Sequence, residues 1–436
     1  MHAFTRRRSR VVAAVATLMF TGAVAAVPSA QAAAPAVPPA VVPRAETAAL
    51  FDDDQGGNAN ADDPAIWRNS ADPDASLVIA TAKEGGLRVY DLDARQVQSV
   101  PAPAAPGADD DPGRFNNVDL VHRTSSVPGA RDLAVVSDRG SDKLRIYRVA
   151  GDRPDAPLID VTDASAPWIF SGSQEEVNEE RTAYGLATYT DSATGRSYAL
   201  VSQNATTRIA LLELITTRDG KMSYRKVRTL DLPAAFTMPD GTKWSPCGEP
   251  GEGPQVEGMV VDPETGVLFA GQEDVGVWRL RADLKGAPVL QDKIREYGVP
   301  ATYDEASDEC VAGDDPGFGG VRVSADVEGL TLLKQDDGDG YLLASSQGDN
   351  TFVAYDRERS DEYEYEGGFR VSAASESLDG SEECDGADVL AEPLGGRYPN
   401  GLLVVQDGHM APEDGGREAT GFKFVDLADV LEALDD

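Results

Sequence analysis

Six short β-prone cores, beginning at residues 77, 133, 198, 268, 341 and 402, constrain this chain more than any other feature. Each has an apolar strand, a polar turn and a second apolar strand. They are Leu77–Leu92, Leu133–Val149, Tyr198–Leu214, Leu268–Leu280, Tyr341–Tyr355 and Leu402–Val425. Gly, Asp and Asn between such runs mark antiparallel hairpins. The fullest instance is Ala325–Arg357, and Gln255–Leu280 restates it with Glu257 standing where Glu328 stands. A second signature precedes the cores in turn: DDPAIW, NNVDLV, AYGLATY, VEGMVV, VEGLTL, and either DGADVL or RYPNGL. A unit recurring at this interval has room for four strands. The expectation is an all-β chain, a six-bladed β-propeller of four-stranded antiparallel blades. Helical periodicity is confined to the tail, where Leu427, Val430, Leu431 and Leu434 share a face.

The repeats do not reach the start of the chain. Arg6, Arg7, Arg8 and Arg10 precede an apolar run and then Ala30-Gln31-Ala32, so residues 1–32 read as a secretory signal. The run is too short and too Ala-rich for a membrane span. Residues 33–45 read as a disordered Ala/Pro-rich lead-in, and residues 46–436 as a single propeller. The expected product is secreted, extracellular and monomeric.

A net charge of −36 argues against nucleic acid and anionic membranes as partners. Clustered carboxylates favour divalent cations instead. In an exported chain, three cysteines imply one disulfide and one leftover thiol. Cys247 and Cys310 lie in Gly/Pro/Glu-rich loops and are the expected pair, leaving Cys384.

Several chemistries lack their residues. There is no Gly-x-Ser-x-Gly elbow and no phosphate-cradling Gly-x-x-x-x-Gly-Lys-Ser/Thr. Beyond His2, which leaves with the signal, only His122 and His409 exist, so a histidine nucleophile or serine triad is disfavoured. What remains is a series of carboxylates at strand ends: Asp62, Asp63, Asp119, Glu257, Glu273, Asp326, Glu328 and Asp385. Singly, each is most often a turn cap or a solvated charge. Converging at one mouth, they would repel unless a cation lay between them, and oxygen-only ligation favours Ca²⁺. Lys83, Arg139, Tyr184 and Arg208 are interleaved with them, a combination suited to a multiply anionic ligand.

Eight ordered motifs carry a resemblance over the mature length: DDPAIW at 62–67, NNVDL at 116–120, YGLATY at 184–189, EGMVVD at 257–262, DVEGL at 326–330, YLLASSQGDN at 341–350, CDGADVL at 384–390 and YPNGLLVVQDG at 398–408. By these the chain resembles the β-propeller phytases, which are alkaline and calcium-dependent. The resemblance implies hydrolysis of phytate, as its calcium complex, by a calcium-activated water, with several Ca²⁺ ions at one end of the channel. It also favours attack at the 3-position. Carried over, the catalytic-calcium ligands are Asp62, Glu257, Asp326, Glu328 and Asp385, with Glu273 and Tyr184 beside them. Lys83, Arg139 and Tyr184 are the implied phosphate contacts. Asp63 and Asn117–Asp119 resemble a structural calcium site between blades.

Two positions depart from the family. Asn204-Ala205 replaces a Lys-Glu pair, leaving Arg208 as the candidate substitute for the lysine. Asp379 and Asp407 match a second calcium site in which His409 and Met410 replace oxygen donors, so that site is weaker or lost. Two competing readings remain at this point: a non-catalytic calcium-dependent binding propeller, and a lactonase-type calcium propeller.

Overall fold

The computed structural model describes residues 37–53, 55–122, 132–307, 309–335, 338–357, 363–412 and 415–435. The proposed signal lies outside the described residues.

Six four-stranded sheets follow one another. Blade one is Pro64–Trp67, Leu77–Thr81, Leu87–Tyr90 and Gln96–Val100. Blade two begins with Phe115–Val121 and Leu133–Asp138, blade three with Ala183–Asp191 and Arg196–Gln203, and blade four with Val256–Asp262 and Val267–Gln272. Blade five begins with Val327–Lys334 and Gly340–Ser346, and blade six with Ala387–Leu390 and Leu402–Asp407. Strands within these blades pair antiparallel, as the repeats require.

The core lies between blades. Side chains alternate along a strand, and in blade one Val78 and Ala80 join a cluster shared with blade six, whereas Leu77 and Ile79 join one shared with blade two. With both faces covered, the second strand is apolar from Leu77 to Ala80, and only the final Thr81 of LVIAT is polar. Ile79→Ala would cost about 2–5 kcal/mol.

Closure corrects the expected lead-in. Ala45–Glu46 is the outer strand of blade six, antiparallel to Gly421–Asp426, and Ala40–Val41 adds in parallel to blade five. Residues expected to be disordered therefore hold strand positions, and Val41 is buried. Short Ala/Val/Pro runs carry little period, but an open sheet edge needs only their backbone groups. The tail helix forms over Leu427–Asp435, burying Leu427 and Val430. Cys247 and Cys310 are joined and Cys384 is buried. Burial pushes the Cys384 thiol upward, so it is poorly reactive.

Candidate active site

The register of the sheets explains why one motif recurs. In blades two to five the innermost strand slips against its neighbour, between Phe115/Val118, Ala183/Leu186, Val256/Met259 and Val327/Leu330. The first residue inside each irregularity is Asn116, Tyr184, Glu257 or Glu328. In blades six and one the corresponding residues are Asp385 and Asp62, just before the strand begins. One polar side chain per blade thus reaches the same end of the channel, and all six are buried.

The glycine that follows permits the close approach of blades. A Cβ on Gly185 would stand 2.1 Å from the Glu257 carbonyl oxygen, and one on Gly258 would stand 2.0 Å from that of Glu328. This is the physical content of the Glu-Gly and Tyr-Gly steps in the repeats.

Carboxylate oxygens of Glu257, Glu273 and Glu328 lie within 4.8 Å of one another. Tyr184 donates its hydroxyl to Glu257 Oε2, and Asn116 Nδ2 donates to Glu257 Oε1 at 2.8 Å. Gln255 Nε2 holds both oxygens of Glu273, at 2.9 and 3.1 Å. Lys83, with φ of 46°, sits in a left-handed turn that only a constrained loop sustains. Its Nζ reaches Asp385 at 3.1 Å and Asp62 at 3.5 Å. The Arg139 guanidinium lies 5.4 Å over the Tyr184 ring and 3.4 Å from Glu180. Acids, a phenol and two cations therefore share one mouth, an arrangement that can hold a cation and an anionic group side by side.

The family model for phytases matches residues 8–238 and 251–436. The chain belongs to the phytase family. A curated relative, a 3-phytase of Bacillus subtilis (strain 168), is 31% identical over 380 residues, covering 87% of this chain and 82% of that protein. Among solved structures, a periplasmic gluconolactonase of Pseudomonas aeruginosa shows 15% identity and a TM-score of 0.37, covering 68% of this chain and 67% of its own. The β-propeller domain of Cps50 (Swd1) from Myceliophteria thermophila shows 10% identity and a TM-score of 0.38, covering 84% of each chain. Likeness of that degree bears on nothing beyond general shape. This phytase is a hydrolase, and its small substrate is the phosphate-rich phytate.

The other expected residues have partners of their own. Asp326 hydrogen-bonds Asp274, whose carboxyl burial pushes well above the usual range, with Asp326 adding to the rise. Asp63 and Asp119 line a channel cavity of about 50 Å³ together with Asp388. There each caps the next blade's inner strand: Asp63 accepts from Val118 N at 3.0 Å, Asp119 from Thr188 N at 2.5 Å and Asp388 from Ile66 N at 2.8 Å. Burial raises all three carboxyls, that of Asp388 to about 6.

Two expected sites read differently in the structure. Asp379 and Asp407, anticipated as calcium ligands, surround the Lys423 ammonium together with Glu46; Asp407 lies 3.1 Å away. The cation at that place belongs to the chain, because Lys423 is fully buried beside them. Arg208, the candidate replacement lysine, forms a two-toothed pair with Asp231 on its own blade's outer strand, at 2.7 and 3.2 Å. A near β-neighbour of opposite charge satisfies it locally.

Sequence reasoning missed Asn116, Asp274, Gln255 and Asp388. Asn116 was recoverable, since it opens NNVDLV where Glu257 opens EGMVV. Asp274 follows Glu273 on a turn, and nothing in its spacing sets it apart.

Proposed function

We propose that this phytase is exported, works extracellularly as a monomer, and hydrolyses phytate in its calcium complex by direct attack of water, without a protein nucleophile. The observation that carries this reading is the grouping of Glu257, Glu273 and Glu328 within 4.8 Å beside Lys83 and Arg139. Three carboxylates so close repel strongly unless a cation intervenes, and an all-oxygen donor set fits Ca²⁺. Glu257, Glu273 and Glu328 would hold it, with Asp62 and Asp385 across the mouth and Asp326 beside Asp274. Bound calcium would neutralise phosphate charge and lower the pKa of a bound water.

The remaining work falls to the chain itself. Tyr184 and Asn116 grip the two oxygens of Glu257 and so fix its plane. Arg139 presents a planar fork suited to two phosphate oxygens, while Lys83 supplies a point charge. His122 stands just past Val121, at the opposite end of its strand from the mouth residue Asn116. His122 pairs with Asp132, and His409 with Glu383. The 3-phytase relative supports attack at the 3-position.

Phosphate release from phytate, in calcium and in chelator, tests the reading. The expected outcome is calcium-dependent release with the 3-phosphate leaving first. Equal rates in chelator would overturn it. Recovery of the protein from culture medium, with an N-terminus near Ala33, would test export.

A further inference from the structure

The six mouth residues are held in a second repeating way. Near the end of each blade's second strand, facing the mouth residue, stand Thr81, Ser137, Ser202, Gly271, Ser345 and Gln406, inside the register slip in blades two to five and one residue past the last inner-strand pair in blades one and six. The Ser202 hydroxyl accepts from Gly185 N at 2.8 Å and donates to the Val256 carbonyl of the next blade at 2.6 Å. It therefore ties the peptide after Tyr184 to the peptide before Glu257. Thr81 links blades one and two one residue further on, accepting from Asp63 N at 2.9 Å and donating to the carbonyl of the mouth residue Asn116 itself at 2.6 Å. Ser345 donates across the next seam, to Cys384 O at 2.9 Å, just before Asp385. Where the ring closes, the longer Gln406 accepts from Asp385 N at 2.8 Å and donates to Ala61 O at 3.2 Å, just before Asp62.

Two seams behave otherwise. Ser137 accepts from Asn117 N at 3.0 Å as Ser202 does from Gly185 N, but it donates back to its own blade, to Asn117 O at 3.5 Å. Gly271 has no side chain, and a Cβ there would meet the Val327 carbonyl at 2.9 Å. All four bridging side chains are buried, so their hydrogen bonds have no competing water.

We infer that Thr81, Ser202, Ser345 and Gln406 are positioning residues for the phosphate-hydrolysing mouth, each setting the spacing of mouth groups across a blade seam. The inference rests on the mouth being the reaction site. Ser202 is the sharpest case, because the two residues it registers, Tyr184 and Glu257, touch one another. An unbridged seam would let them drift, and displacements near 1 Å at a reacting centre cost up to a hundredfold in rate.

The test compares Ser202→Ala, Ser202→Thr and Ser137→Ala in the full mature protein. Turnover of phytate in calcium is measured well below each variant's unfolding temperature, and thermal unfolding is measured separately in chelator. Ser202→Ala is expected to lose about tenfold or more in kcat with KM within about threefold, and Ser202→Thr to regain most of it. Ser137→Ala, removing a hydroxyl at the same register with no bridge, should keep kcat within about twofold. Gln406→Met, which keeps size but loses both bonds, should resemble Ser202→Ala. Equal kcat in Ser202→Ala and wild type would overturn the inference, as would equal losses in Ser202→Ala and Ser137→Ala. If wild type itself released no phosphate from phytate, the functional reading would fail instead.

Discussion

Two of the acidic clusters in this propeller are held in different ways. In blade six, Glu46, Asp379 and Asp407 enclose Lys423, whose ammonium is part of the chain and always present. At the mouth, Glu257, Glu273 and Glu328 crowd within 4.8 Å, and Glu257 and Glu273 take hydrogen bonds from neutral phenol and amide donors. The Lys423 ammonium fastens the outer strand of blade six, through Glu46, to Asp379 and Asp407. The phenol and amide donors fix the geometry of Glu257 and Glu273 without cancelling their charge. The contrast separates fastening from chemistry.

The largest expected effect lies on the chemical side. Glu257→Gln or Glu328→Gln should lower kcat by about a hundredfold or more with far-UV circular dichroism unchanged. Near-normal turnover would remove the mouth acids from the reaction. Next comes the fastening. Lys423→Met strands three carboxylates and should destabilise by about 3–5 kcal/mol, read by urea unfolding, with added calcium restoring little. Full restoration by calcium would show that blade six also accepts a metal and erase the distinction. Third, saturating calcium should stabilise wild type by about 3 kcal/mol at a hundredfold excess over Kd. The same calcium should stabilise Glu257→Gln less.

A smaller effect concerns pH. The Asp388 carboxyl titrates near 6 in the fold, against an ordinary 3.8, because burial disfavours its charge. A raised acid pKa means the folded state binds the proton more tightly, so stability should rise as pH falls from 7 through 6 and level off near 4. Asp388→Asn should flatten that slope in chelator. Smallest of all, Arg208→Ala breaks an exposed pair and should change stability by less than about 1 kcal/mol and kcat by less than about twofold.

The blades were legible because alternation, turn chemistry and repetition are local properties, and each LVIAT-like run states its own burial. The mouth residues were legible for the same reason, since Asp62, Tyr184, Glu257, Glu328 and Asp385 sit at one repeat position. Partnership was not. Nothing around Phe422-Lys423-Phe424 announces that its lysine ends beside Asp379, and nothing near Arg208 favours Asp231 over a distant ligand. Ala45–Glu46 was hidden because a strand recruited by an open edge needs no pattern of its own. Gln406 lay within a quoted motif, yet its two hydrogen bonds depend on a seam that exists only once the ring is shut.

That outermost strand bears on how the molecule comes into being. Thr47 hydroxyl accepts from Phe422 N at 3.1 Å, a contact between residues 375 apart in the chain. Synthesis makes Thr47 375 residues before Phe422, so a nascent chain cannot close its ring until that whole stretch is available. Long-range closure of this kind is entropically slow. A circular permutant opened at the exposed Asp219–Gly220 turn would carry Ala45–Glu46 directly after the tail helix. Because that turn joins the paired strands Arg208–Thr216 and Met222–Asp231, the permutant moves the long-range closure to blade three, and it should refold no faster than the natural order by stopped-flow fluorescence.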